Sequence, residues 1–444
     1  MEFNRDITFL RHHVKNDFFL IFKIEQEYQL NYMTKSQKNT KCSVEVVIVI
    51  GGGKKGTRFR PLSLELPKPL FPIAGQPIIQ HLISQCAPLS NKITGINLIG
   101  YYDIDERLSR LIEQMQIKFN IPIRYIQEPK PLGTGGGLFH FRDRILASKP
   151  CGILFINGDV YADLPLKEFI QFFTKVNYQH CMLVTKIMDE SSNDYGCVVI
   201  DEVSHCVRHF VEKPSSFVSS TVNCGVYLFK PATIMKYFQE VSSSNSNSNG
   251  KIQLENEIFP IIVGRNELYA FCTERFWGSI KTPSSVLQAN SKYLEMVPKL
   301  QCDGDLSRGI HHGNVYIGED AVIHSSAEIG PNVSIGKGVR IDKGVRIKDS
   351  IILDNCEIGA HSCILLTVLG SQIKIGEWCR VEGVRPQNAR TSSFTGISYD
   401  KNNQISDVTV IGHNVKVADE IIIRSSVVLP NKEININCYS EIVL

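Results

Sequence analysis

The sequence lacks a hydrophobic run of the roughly 18 residues that a membrane span needs, and it has no strong excess of charge. Its 48 Lys and Arg residues and 45 Asp and Glu residues give a net charge of +3, which argues against nucleic acid or membrane as the main partner. The 13 cysteines include no C-x-x-C pair, so neither a secreted disulfide framework nor a zinc site is indicated. A cytoplasmic location is therefore expected.

The N-terminal 43 residues lack the features of a targeting sequence. Residues 18–22 form a short apolar stretch that ends at Lys23, whereas a signal peptide core has about 7–15 apolar residues. We expect residues 1–43 to be an extension outside the fold, either disordered or produced by a start assigned upstream of Met33.

The middle of the chain alternates between two kinds of segment. Short apolar runs suit strands buried on both faces, and amphipathic stretches between them suit helices. This alternation predicts an α/β layer with a mostly parallel sheet and a ligand site at the carboxyl ends of its strands. The predicted strands are 44–50, 96–100, 152–157 and 181–187, and the predicted helices are 77–86, 104–119 and 166–176.

A glycine-rich loop follows the first predicted strand. Residues 51–62 read GGGKKGTRFRPL, and PKP follows at 67–69. Glycines at such a place allow backbone N–H groups to approach a phosphate chain, while Arg58, Arg60 and Lys68 supply positive charge. The loop is neither a Walker A sequence nor a dinucleotide-binding fingerprint.

Four further motifs follow in a fixed order. They are EPKPLGTG from Glu128, NGD from Asn157, VEKP from Val211 and NCGVY from Asn223. With the glycine-rich loop, this series resembles the sugar-nucleotide pyrophosphorylases, over roughly residues 45–290. The resemblance implies a Rossmann-like nucleotidyltransferase fold.

The resemblance also implies a role for individual residues. It implies catalytic positions at Arg58 and Lys68, a Mg²⁺ ligand at Asp159, nucleotide contacts from Gly51, Gly52, Gly56, Thr57, Glu128, Gly133 and Thr134, and sugar-phosphate contacts from Gly196, Glu212, Lys213 and Asn223.

Three of these residues also have a purely structural interpretation. Asp159 follows an apolar strand, where a hard oxygen ligand suits Mg²⁺ on phosphate oxygens, but an Asp there can also cap the next helix. Lys213 suits a sugar phosphate or is a solvated surface lysine. Asn223 binds sugar hydroxyls or closes a turn.

The C-terminal third repeats with a period of six residues. Isoleucine occupies positions 317, 323, 329, 335, 341 and 347, Leu353 extends the series, and a small aliphatic residue lies two positions before each. This period predicts a hexapeptide β-solenoid, and the resemblance implies a left-handed parallel β-helix that mediates assembly. The predicted domains are a nucleotidyltransferase-like domain at 44–295, a linker at 296–312 and the β-helix at 313–444. A polar loop at 384–407 interrupts the repeat, and it carries residues suited to docking on a partner, Arg385, Arg390, Phe394 and Tyr399.

Within the pyrophosphorylases, the chain resembles the alpha type of GDP-mannose pyrophosphorylase, notably in PLGTGGGLFHFRD at 131–143. Two features depart from catalytic members. The glycine-rich loop is longer, with Lys54 and Lys55, and FWGSIK from Phe276 replaces F-W-x-D-I-G, so Ser279 stands where a second metal carboxylate is expected. Mg²⁺ would then rest on Asp159 and phosphate oxygens alone.

The resemblance therefore implies a regulatory subunit that binds GDP-mannose, self-associates and regulates a catalytic beta subunit. Three alternatives stay open. The chain is an active mannose-1-phosphate guanylyltransferase using GTP and mannose-1-phosphate, or a hexapeptide acyltransferase with His324 or His361 as its base, or a subunit of a translation-initiation exchange factor.

Overall fold

The structure is a computed structural model that describes residues 43–52, 57–187, 190–244, 250–296, 310–384 and 408–444. Residues Ser43–Leu444 form one compact unit. Several predictions lie outside the described residues: those on 1–42, Lys54, Lys55, Gly56, most of the linker, and the loop residues Arg385, Arg390, Phe394 and Tyr399.

The region up to Met296 alternates strands and helices, as the apolar runs predicted. Its strands are β1 Val44–Gly51, β2 Pro72–Ile73, β3 Gln76–Pro77, β4 Ile93–Gly100, β5 Ile123–Gln127, β6 Gly152–Asn157, β7 Val160–Ala162, β8 His180–Lys186, β9 Gly196–Ile200, β10 Val207–Glu212, β11 Thr221–Phe229, β12 Leu268–Thr273 and β13 Trp277–Ser279. Its helices are Ile78–Cys86, Glu106–Phe119, Gly133–His140, Arg142–Ile145, Leu166–Lys175, Pro231–Ser244, Phe259–Gly264 and Pro283–Met296, with a π-helical turn at Leu254–Ile258.

Among the described residues, nine strands form the central sheet, in the order β10-β9-β11-β6-β1-β4-β5, with β8 beside β11 and β12 beside β8. Strands β6, β1, β4 and β5 run parallel, and β11 adds antiparallel pairs with β6 and β8. Alternate residues of β1 enter different cores, since Val46 and Ile48 pack on one face and Val47 on the other. Helices cover both faces, as a parallel sheet requires.

The C-terminal region consists of short strands that wind into a three-sided coil. They are β14 Ile310–His311, β15 Val315–Ile317, β16 Val322–Ile323, β17 Glu328–Ile329, β18 Val333–Ile335, β19 Arg340–Ile341, β20 Arg346–Lys348, β21 Ile351–Ile352, β22 Glu357–Ile358, β23 Cys363–Leu365, β24 Thr367–Leu369, β25 Lys374–Ile375, β26 Arg380–Glu382, β27 Thr409–Ile411, β28 Lys416–Val417, β29 Ile422–Arg424, β30 Val427–Val428, β31 Glu433–Ile434, β32 Cys438–Tyr439 and β33 Ile442–Val443.

These strands form three parallel sheets of seven, seven and six strands within the described residues. The repeated isoleucines, such as Ile329 and Ile347, fill the interior. Each coil covers the edges of its neighbours. The predicted fold class is confirmed: a Rossmann-like nucleotidyltransferase region is followed by a parallel β-helix of hexapeptide repeats. No helix in the described part of the chain is long and apolar enough to cross a membrane.

The structure corrects one detail of the repeat. Ile352, not Leu353, continues the interior series, because Ile335 pairs with Ile352 while Leu353 packs in the seam against the sheet region. Two residues lie between β20 and β21, whereas three lie at the matching corner between β17 and β18, so the coil shifts register there. A one-residue shift in a strand turns every side chain to the other face.

The seam between the two regions is closely packed and anchors the sheet region on the β-helix. Fully buried Asn290 accepts hydrogen bonds from the Ala74 backbone N–H at 2.9 Å and from the Ser334 hydroxyl at 2.6 Å. Its amide donates to the Asn332 carbonyl at 3.2 Å. Above Gly75 lies the Tyr316 ring, which leaves no room for a Cβ there. The β-helix therefore packs directly against the turn between β2 and β3 and against the helix Pro283–Met296.

Candidate functional site

A cleft opens at the carboxyl ends of the parallel strands, where the sequence predicted a ligand site. It has a volume of about 470 Å³ and is lined by Tyr101, Asp103, Gln127, Glu128 and Pro129. Of the residues predicted to contact a nucleotide, Glu128 is thus brought to this cleft, with only 5% of its surface exposed. Glu128 thus presents a nearly buried carboxylate to the cleft, and its nucleotide contact stays a prediction.

The described part of the glycine-rich loop borders the same strand ends. Gly51 ends β1 with a φ of +71°, a backbone conformation that favours glycine. A Cβ on Gly52 would lie 2.8 Å from the Tyr101 Cβ, so the loop passes closer to this residue than a side chain permits. Thr57 and Arg58 follow as exposed residues in a short turn that buried Phe59 anchors. Predicted Gly56 lies outside the described residues.

Gly133 and Thr134 begin a helix, and both contact the segment between Ile252 and Glu255. Gly133 has a φ of +86° and leaves no room for a Cβ beside the Ile252 carbonyl. The Thr134 hydroxyl donates to Glu255 Oε2 at 2.6 Å and accepts from the Leu254 N–H at 2.9 Å. Thr134 therefore orients Glu255, and its own nucleotide contact stays a prediction.

Glu255 is a residue that the sequence reasoning missed. Burial raises the pKa of its carboxyl, and the carboxylates of Glu212 and Asp159 act in the same direction. It lies in the π-helical turn, outside every motif, so no local signal in the sequence marks it. Its electrostatic interactions with Glu212 and Asp159 place it near the predicted sugar-phosphate and metal residues.

Asp159 lies two residues beyond the end of β6, where the predicted metal carboxylate should be. It does not cap the following helix, because that helix begins at Leu166 after Pro165. Ser279 lies directly opposite, on the strand paired with β7, and its hydroxyl donates to Asp159 Oδ2 at 3.1 Å. The Lys68 ammonium lies 3.9 Å from the same oxygen.

Lys68 has a lowered pKa, chiefly because burial disfavours its charge, while Asp159 partly restores it. The predicted pair of Lys68 and Asp159 is thus brought together by the structure. Arg58 also acts on this ammonium and lowers its pKa further. The strand ends therefore gather positive charge around one carboxylate.

These donors do not fit a magnesium site held by carboxylates. Asp159 supplies one carboxylate, and at the position of the expected second carboxylate the chain has the neutral Ser279 hydroxyl. Magnesium prefers several hard oxygen ligands in octahedral geometry. Magnesium binding here stays a prediction, and no step of the chemistry below depends on it.

Three of the predicted sugar-phosphate residues lie at the start of β9, at the end of β10 and directly after β10. A Cβ on Gly196 would approach Glu212 Oε2 to 2.8 Å, so this glycine makes room for the carboxylate. The Lys213 ammonium lies 3.7 Å from Glu212 Oε1 and is 55% exposed. Lys213 has a φ of +48°, and its backbone N–H donates to the Tyr195 carbonyl at 3.2 Å. The structure therefore brings Gly196, Glu212 and Lys213 together.

Asn223 is buried within β11, and both ends of its amide are used internally. Its Nδ2 donates to the Tyr227 hydroxyl at 2.6 Å, and its Oδ1 accepts from the Gly225 N–H at 2.8 Å. The strand is irregular here, since the three residues of β11 between Asn223 and Tyr227 face a single residue of β8, Leu183. The hydrogen bonds of the Asn223 side chain hold this bulge in place, and direct sugar binding stays a prediction.

Lys281 also enters the site, although the sequence reasoning gave it no role. Its ammonium lies 4.3 Å from the centre of the Tyr195 ring and donates to the Asp194 carbonyl at 3.4 Å. Tyr195 in turn contacts the Trp277 ring edge-on at 5.1 Å. The replacement of glycine by lysine in the FWGSIK motif was the available signal.

Comparisons with known proteins cover nearly the whole described chain. The "Nucleotidyl transferase" family model matches residues 46–296, and the "GMPPB C-terminal domain" model matches residues 311–444. The chain is 41% identical over 424 residues to a pig protein, Sus scrofa "Mannose-1-phosphate guanylyltransferase regulatory subunit alpha", which covers 90% of this chain and 100% of the relative. The zebrafish (Danio rerio) alpha-B and the Homo sapiens alpha subunits of the same name are 40% and 39% identical, again over 90% of this chain and all of each relative.

Proposed function

The chain belongs to the family of mannose-1-phosphate guanylyltransferase regulatory alpha subunits, and on that premise we propose that it binds GDP-mannose and regulates a catalytic beta subunit, with little or no guanylyl transfer of its own. The observation that carries this proposal is the neutral Ser279 hydroxyl, 3.1 Å from Asp159. A catalytic centre of this type needs charge neutralisation at that place, and this chain supplies one carboxylate there.

The reaction of the catalytic members explains why this matters. A sugar-1-phosphate oxygen attacks the α-phosphorus of GTP and pyrophosphate leaves, a step that depends on in-line positioning and neutralised charge. Here Lys68 and Arg58 can neutralise phosphate oxygens, and Glu212 with Lys213 can hold the sugar phosphate. Binding needs those groups, whereas fast transfer also needs the second carboxylate, whose position Ser279 occupies.

The partner contacts are proposed from the β-helix. Within the described residues, the core cluster of the seam takes its β-helix members from the sheet that contains β21, β24 and β27, and the other two sheets offer repeated, regular surfaces. Residues 384–407 lie between β26 and β27 along the sequence. We propose that these surfaces hold the beta subunit and further copies of this chain in the cytoplasm. GDP-mannose binding would then favour an arrangement that inhibits the beta subunit.

Two measurements test the proposal. Calorimetry with the pure chain should show GDP-mannose binding, and absence of binding would refute the sensor role. Co-purification with the beta subunit should yield a complex whose activity falls more steeply with GDP-mannose than that of the beta subunit alone.

An active guanylyltransferase is the second candidate. The observation that favours it is the close pair of Lys68 and Asp159, separated by 3.9 Å, because both family positions are then in place. Pyrophosphate release from GTP and mannose-1-phosphate by the isolated chain decides between the two.

A further inference from the structure

The side chain of Lys281 is held in place at the centre of the candidate site. Its neighbour Ile280 donates a backbone hydrogen bond of 2.7 Å to the Asp159 carbonyl, which ties the segment to the end of β6. The Lys281 N–H donates to the Ser285 hydroxyl at 3.1 Å, so the next helix fixes the backbone from the other side. The ammonium itself is held by the Tyr195 ring and the Asp194 carbonyl.

Lys281 and the charged side chains around it carry a net positive charge. Those that act on Lys281 are Asp159, Glu212, Lys213 and Arg58. Asp159 already pairs with Lys68 at 3.9 Å, and Glu212 pairs with Lys213 at 3.7 Å. Within the described residues, neither Lys281 nor Arg58 forms an ion pair with a carboxylate of the chain.

An excess of fixed, partly buried positive charge is unfavourable unless an anion offsets it. The anion that the site is proposed to bind is the diphosphate of a nucleotide sugar. A catalytic site would neutralise that diphosphate with a divalent cation held by two carboxylates. In this chain, one of those carboxylates is replaced by the Ser279 hydroxyl, and a lysine lies two residues further on.

We propose that the Lys281 ammonium takes the place of a divalent cation, so that this chain binds the diphosphate of a nucleotide sugar without any metal. The inference rests on the proposed function, since it concerns the same ligand. The formal charges of the two arrangements agree. In this chain the charges of one carboxylate and one ammonium sum to zero, and in a catalytic site the charges of two carboxylates and one divalent ion also sum to zero. A lysine neutralises phosphate charge but is a point charge on a flexible stem, so it supports binding better than in-line transfer.

The test measures GDP-mannose binding by calorimetry in excess EDTA and again with Mg²⁺. For the native chain we expect the two dissociation constants to agree within about 2-fold. Lys281→Met should weaken binding in EDTA by about 10-fold or more, as the loss of a charge-assisted hydrogen bond predicts. Lys281→Arg should stay within about 3-fold of native, and Lys175→Met, which removes an exposed lysine far from the site, should change nothing.

A double variant inverts the arrangement. Ser279→Asp with Lys281→Gly supplies a second carboxylate and removes the ammonium, so GDP-mannose binding should become dependent on Mg²⁺ by about 10-fold or more. This readout separates an electrostatic role from a structural one, because lost packing weakens binding equally with and without the metal.

The possible outcomes are distinct. Native binding that requires Mg²⁺, or a Lys281→Met variant that loses melting temperature but not affinity, overturns the metal-free site and leaves the sensor function standing. No GDP-mannose binding with or without Mg²⁺ refutes the proposed function and this inference with it.

Discussion

The sheet region and the β-helix bury different kinds of polar side chains. In the sheet region, His81 and His180 are buried among aromatic rings, and both ring nitrogens of His180 lack a hydrogen-bond partner in the described structure. In the β-helix, the buried polar groups are mostly hydroxyls, and its buried acid, Glu382, pairs with Arg380 and Arg424.

This difference in buried side chains indicates that the two regions have different roles. The hydroxyls of the β-helix form a ladder along one corner, where Thr367 and Thr409 bond to the backbone of adjacent strands on either side of the inserted loop. The coil therefore stays regular where the loop leaves it. The sheet region instead holds ionisable groups in surroundings that disfavour their charge, both in its core, as at His180, and at the candidate site, as at Lys68 and Lys281.

The largest expected effect is a selective loss of stability of the sheet region in acid. Burial lowers the pKa of His180 to about 3 from an ordinary 6.5, so the unfolded chain takes up a proton that the folded chain does not. The stability present above pH 6.5 is lost as the pH falls toward about 3, by up to about 5 kcal/mol at 1.36 kcal/mol per unit. His180→Phe should remove most of this loss.

Urea unfolding at pH 7 and pH 4 measures this loss of stability. The fluorescence of Trp277 in a Trp378→Phe background monitors the unfolding of the sheet region. Trp378 is the other tryptophan and lies on the β-helix, so the reverse variant reports that region. His209→Gln, at an exposed position, is the matched control. An equal loss of stability in acid with and without His180 would refute the account.

The next effect concerns the coil interior. Ile352 is 1% exposed and packs in the β-helix core, so Ile352→Ala should cost about 2–5 kcal/mol of unfolding free energy. Val322→Ala, on an exposed coil position, should change stability by less than about 0.5 kcal/mol. Equal costs would contradict the register in which Ile352 lies inside.

Ser279→Asp should produce a smaller but informative change in activity. A carboxylate opposite Asp159 should raise Mg²⁺-dependent pyrophosphate release by the isolated chain at least about 10-fold, or about 1.4 kcal/mol of barrier. Ser279→Asn adds bulk without charge and should not raise pyrophosphate release. A gain in pyrophosphate release in both variants would show that the missing negative charge does not limit the reaction.

The smallest effect is the pH dependence of GDP-mannose binding. Burial lowers the pKa of Lys68 and of Lys281 below the ordinary 10.5, so their positive charge is lost at a lower pH than that of an exposed lysine. Affinity should fall a few-fold as the pH rises toward 10. Lys281→Arg should delay this fall, because a guanidinium stays charged, and calorimetry from pH 7 to pH 10 measures it.

Much of the fold could be predicted from the sequence because periodicity is a collective signal. Buried strands such as β6 appear as continuous apolar runs, and the coil repeats the same residue type many times. The failure at Leu353 came from one shortened corner, which changes the face of a side chain without changing its type.

The site was predicted less completely because it depends on single residues. The motifs located Asp159, Glu212 and Lys213. They did not show that the side chains of Thr134 and Asn223 form hydrogen bonds with other residues of the protein. Glu255 enters the site from a turn without a motif. Lys281 was marked only by the replacement of a glycine in the FWGSIK motif, and the pairing of β13 with β7 brings it to the site.

Pyrophosphate release by the isolated chain, given GTP, mannose-1-phosphate and Mg²⁺, tests the central claim most directly. The account predicts release at or near the uncatalysed background from a preparation that nevertheless binds GDP-mannose. Release at the rate of an ordinary enzyme, about 1–10³ turnovers per second, would contradict it.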